Sequence, residues 1–143
     1  MNNEQGFQMV IGAETIHVKA RGKTVKELFR NALRGTAVFL KPAVWLTAEK
    51  TKKVKHVIRV EAVDINTLLI AFMSKVIALS DIHNIIFTNV MFKTIGCNFL
   101  EGELSGVAAD GFDQEIKAVS YQDVDVKRNP ESGLYETVLV FDM

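Results

Sequence analysis

One cysteine, two prolines and one tryptophan are all that this 143-residue chain has of three informative residue types. A lone Cys97 excludes an internal disulfide and any cysteine-rich metal cluster. Net charge is equally scarce: seventeen Lys and Arg face seventeen Asp and Glu. A balanced chain lacks the excess positive charge on which non-specific nucleic-acid and membrane-surface binding rest, so neither is expected. Apolar stretches are interrupted by Lys41, Asp64, Lys75 and Asp81, and no membrane span is expected. Met1–Gln5 carries no basic start or apolar run of the secretory kind, so a cytoplasmic location is expected. P-loop, G-x-G-x-x-G, H-E-x-x-H and G-x-S-x-G patterns are missing. With neither nucleophile nor general base placed by a motif, an enzyme, including a metal-dependent hydrolase, is not the expected reading.

What is present reads as one α+β domain over residues 1–143. Hydrophobic residues make up 48% and charged residues 24%, enough to bury a sizeable core without metal or disulfide. Phe7, Met9 and Ile11 alternate with polar neighbours, and Ile16, Val18 and Ala20 resume the pattern after Gly12. Thr24 and Glu27 make a capping box that opens a helix over 24–40, with Val25, Leu28, Phe29 and Ala32 on its apolar stripe; Gly35 weakens its middle and Pro42 limits it. Val54, Ile58, Val60 and Ala62 alternate as a third strand. Asp64 then caps a second helix over 64–81, with Val63 and Leu68 spaced as a hydrophobic staple. Its stripe (Ile65, Leu68, Leu69, Phe72, Val76, Leu79) is wide enough to require cover on two sides.

Beyond residue 84 the chain reads as strands at 85–94, 99–107, 116–127 and 134–142, with Asn129–Gly133 as a hairpin turn. The order β-β-α-β-α-β-β-β-β predicts two helices packed as one layer on a mainly antiparallel or mixed sheet. Lys50, Lys52, Lys53 and Lys55 form the one basic run, read as a solvated strand edge, with a ribose-phosphate contact as the sharper alternative. His17, His56 and His83 stand on separate elements without metal-ligand spacing. The D-G-F-D turn at Asp110–Asp113 lacks the chelating calcium pattern, and Asp123 and Asp125 read as solvated charge on one strand face. Asp142 is different: it lies next to Met143 on an apolar strand. If nothing follows Met143, its carboxylate and that of Asp142 are two hard oxygen donors side by side, suited to Mg²⁺, Ca²⁺ or Mn²⁺, although from spacing alone a frayed strand end is the preferred reading.

Four segments carry a family resemblance. Gly22-Lys23-Thr24-Val25-Lys26-Glu27-Leu28-Phe29-Arg30-Asn31-Ala32 resembles the G-K-T-x-x-E-L-F-x-N-A helix start of archeases. Val60-Glu61-Ala62-x-Asp64, Glu115–Tyr121 and the ending Val140-Phe141-Asp142-Met143 follow in the family's order and spacing. The resemblance implies a small α+β accessory protein, not itself catalytic, that binds an RNA-splicing ligase and promotes its guanylylation and turnover in tRNA splicing. It also implies a divalent metal, Ca²⁺ or Mg²⁺, held by the penultimate Asp, the terminal residue and an Asp of an N-terminal H-T-A-D strand. Here Asp142, Met143 and Glu14 are the corresponding metal residues. Counting back from Gly22 without a gap puts Thr15 at the family's Asp; a one-residue shift, of the kind a β-bulge absorbs, aligns Ala13-Glu14 with A-D instead. Gln122, Phe72 and Ser74-Lys75 also replace the family's usual His, Trp and polar-acidic pair. Weak divalent binding is expected, and a metal-free binding module is the alternative.

Overall fold

The computed structural model describes residues 6–43 and 53–143. Met1–Gln5, Lys50 and Lys52 lie outside them; Lys53 and Lys55 are exposed. Helix α1 (Val25–Leu40) starts where Thr24 Oγ1 accepts the Glu27 amide at 3.2 Å, and stops just before Pro42, with the Lys41 amide on Ala37 O. Leu28, Phe29 and Ala32 are fully buried. Gly35 does more than loosen the helix. A Cβ there would sit 2.9 Å from Val18 Cγ1 and 3.2 Å from the Phe7 ring, so its bare backbone lets the helix approach the sheet.

Helix α2 (Ile65–His83) is capped by Asp64, whose Oδ1 accepts the Thr67 amide at 2.8 Å and its hydroxyl at 2.6 Å. It ends on left-handed Asn84, whose amide returns to Ser80 O. Val63 is 86% exposed, so the expected staple with Leu68 does not form. By length and composition α2 is apolar enough to cross a membrane, with a mean hydropathy of 1.6. In this fold it is a core helix: Leu68, Leu69, Phe72, Met73 and Val76 are buried, and Lys75 Nζ donates to Arg59 O at 3.0 Å.

Both helices pack on antiparallel sheets, and the strands divide between two of them. Strands β1 (Phe7–Ile11), β2 (Thr15–Gly22), β8 (Tyr135–Asp142) and β6 (Ala118–Val119) lie in that order, with β7 (Lys127–Arg128) also paired to β8. The other sheet runs β3 (Val54–Glu61), β5 (Phe99–Ala108), β4 (Ile85–Ile95). Helix α1 joins the two, resting on β1 and β2 and also along β4. Arg30 Nε donates to Val90 O at 3.1 Å and Arg34 Nη2 to Asn89 Oδ1 at 3.2 Å, covering an edge strand that would otherwise stand open. Rings of Phe29, Phe72 and Phe92 meet at centroid distances of 5.7 to 6.3 Å where α1, α2 and β4 converge.

The single strand expected over 116–127 is not there. Only Ala118–Val119 and Lys127–Arg128 pair with β8. Between them the chain leaves the sheet; Asp123 is left-handed (φ 66°) and the Val126 amide donates to Asn66 Oδ1 on α2 at 2.8 Å. Period-2 alternation persists through these residues, but a left-handed residue cannot continue a pleat. The intervening loop instead helps cover the apolar α2.

Candidate functional site

Strand β8 lies inside its sheet, between β2 and β6. Its register against β2 runs without interruption from Gly22–Tyr135 to Thr15–Asp142. The bulge that would bring Glu14 onto the Asp142 face is therefore absent. Directly opposed residues of an antiparallel pair share a face, so Thr15 flanks Asp142 on one side and Ala118 of β6 flanks it on the other. His17, opposite Val140, lies one pleat along the same face. This face is turned from the core: Ile16, Val18, Leu139 and Phe141 are buried while Asp142 is exposed.

Backbone bonds fix the end of the strand. The Lys117 amide donates to Asp142 O at 2.7 Å, and the Met143 amide to Glu14 O at 2.9 Å. Glu14 thus meets Met143 through its main chain, its side chain exposed in the bend after Gly12. Met143 packs in part against the core. Among the described residues, no three His, Cys, Asp or Glu side chains converge as a metal-holding group. Asp142, the Thr15 hydroxyl and, where Met143 ends the chain, its carboxylate make an oxygen-only donor set. Such a set fits a hard cation held weakly and mostly by water.

Beyond β6 lies a cleft of about 440 Å³ between α2 and the segment from Phe112 to Val119. Ile77 and Phe112 form its apolar walls, and Asp81, Glu115 and Lys117 its charged rim. The Lys117 amide that holds Asp142 joins this cleft to the strand end. One juxtaposition was invisible in the sequence: His56 on β3 and His83 at the end of α2 have ring centroids 5.2 Å apart. Twenty-six intervening residues and a whole helix separate them, and no short-range spacing rule spans that. Cys97 is a free, exposed thiol in the β4–β5 turn.

Residues 15–143 match the model of the Archease protein family. Proteins named archease from Aeropyrum pernix and Pyrococcus furiosus are each 28% identical to this chain. The first alignment takes in 88% of this chain and 89% of the relative, the second 90% and 92%. The solution structure of Methanobacterium thermoautotrophicum protein 1598 superposes with a TM-score of 0.66 at 17% identity, covering 97% of this chain and 99% of that one. A Thermotoga maritima crystal structure, described as an archease and possible chaperone, gives 0.59 at 17% identity over 95% and 98%. At that identity the two structures speak for the fold.

Proposed function

Because this chain belongs to the archease family, we propose that it is an accessory protein that binds an RNA-splicing ligase and promotes its guanylylation and turnover. The observation that carries this reading is the end of β8. Asp142 is presented on an exposed sheet face, pinned from both sides by backbone hydrogen bonds, and beside a cleft with a charged rim. A protein partner finds there a rigid platform with an acidic centre. Asp142 and the Thr15 hydroxyl, joined by the Met143 carboxylate where Met143 ends the chain, would hold Mg²⁺ or Ca²⁺; the ion would supply positive charge to an otherwise acidic strand end. Glu14 reaches such an ion only by swinging around the bend that its main chain forms with Met143.

Among the described residues no three His, Cys, Asp or Glu side chains gather here, which favours a second reading, a family member that contacts its partner without metal. Two measurements separate them. Incubation with the host's RNA ligase and GTP should raise ligase guanylylation, and Asp142→Ala should remove most of that increase. Calorimetric titration of both proteins with Mg²⁺, Ca²⁺ and Mn²⁺ should give weak binding that Asp142→Ala abolishes. Stimulation with no binding at millimolar ion supports the metal-free reading; no stimulation and no complex with the ligase would overturn the proposal.

A further inference from the structure

We infer that His56 and His83 form a separate cation site, for a nitrogen-preferring transition metal ion of the Zn²⁺, Ni²⁺ or Cu²⁺ class. Their rings are 5.2 Å apart and tilted by 43°, an ordinary separation for two rings in contact. Coordination of one shared ion fits the same separation. An imidazole nitrogen about 2.0–2.1 Å from zinc puts its ring centre about 3.2 Å from the ion, and two such rings at a tetrahedral angle have centres about 5.2 Å apart.

Surroundings favour the same assignment. His56 Nδ1 is 3.2 Å from Val57 O, so a proton on Nδ1 donates to that carbonyl and leaves the Nε2 lone pair for a ligand. The ring is half-buried and meets Phe87 edge-on at 6.4 Å, which restricts its rotation. His83 is the last residue of α2, where the partial negative charge of the helix C-terminus attracts a cation. The adjacent Lys55 lies on the other face of β3, held at 3.6 Å from Glu103. No third His, Cys, Asp or Glu completes the group among the described residues, and His83 is exposed, so the remaining positions fall to water or to a partner's side chain. Nitrogen donors also distinguish this site from the all-oxygen end of β8, which prefers Mg²⁺ and Ca²⁺.

The test uses the metals alone. Titration of the full chain with ZnCl₂ and NiCl₂ should show one saturable site, weakened at least tenfold by His83→Gln, an exposed change that leaves the core intact, and likewise by His56→Gln. Asp142→Asn should keep the site. Zinc should raise the melting temperature of wild type and not of His83→Gln, since an ion bound only to the native state stabilises it. Absence of zinc and nickel binding in wild type at millimolar concentration overturns the inference. So does binding that His83→Gln leaves unchanged, or that Asp142→Asn removes; neither result bears on ligase stimulation.

Discussion

Gly106 shows how narrowly single residues are fitted. A Cβ there would press on Ile86 O and lie 2.7 Å from Phe87 Cα, in the backbone of the neighbouring strand beside its bulge. Gly106→Ala should therefore cost about 2–3 kcal/mol. Gly96, exposed in the next turn and with nothing nearer than 3.8 Å, should tolerate alanine within about 0.5 kcal/mol. Urea unfolding of the two variants checks both. The candidate site was only half legible at this scale. Asp142 stands out as an acid at the end of an apolar strand, with Met143 beside it. Whether Thr15 or Glu14 opposes Asp142 depends on strand register, which no single strand encodes; the unbroken β2–β8 pairing selects Thr15. The His56–His83 pair was not legible at all, because each residue reads as an ordinary side chain of its own element.

Helices were more legible than strands, because cap and stripe occur within a few residues of each other. Leu69 is fully buried on α2, so Leu69→Asp should unfold the protein at a cost of several kcal/mol, visible as lost near-ultraviolet circular dichroism. Asp64 makes a pH-dependent cap. Hydrogen bonds from the Thr67 hydroxyl and amide favour its charged form and hold its carboxyl below the ordinary aspartate range. A carboxyl lowered on folding stabilises above its unfolded value, near pH 3.9, and that contribution is lost as pH falls through the folded value. Asp64→Ala should thus lower the melting temperature at neutral pH, and the gap from wild type should shrink below about pH 4. The misread element was 116–127, where alternation continued while the backbone turned away at Asp123. Alternation reports which side a residue faces, and a loop laid over an apolar helix has two sides as a strand does.

At the scale of the molecule, the two long helices among the described residues, their order and the antiparallel character of the strands were legible; the division into two sheets was not, since pairing partners are far apart in sequence. One buried cluster nevertheless includes residues of both sheets and both helices, among them Val18, Phe29, Phe72, Leu104 and Phe141. Heat should accordingly melt the protein in a single transition, with calorimetric and van't Hoff enthalpies equal; two resolved transitions would show that the sheets fold separately. The central place of β8 has a kinetic consequence. Its neighbour β2 precedes it by more than a hundred residues, while β1–β2 and β4–β5 pair across short turns. Loop-closure entropy delays such distant pairing, so the two hairpins and α2 can assemble while one side of β2 still waits for its partner. Thr15 and Asp142 meet only when that last gap closes. Any state in which β2 and β8 are apart therefore lacks the surface they form.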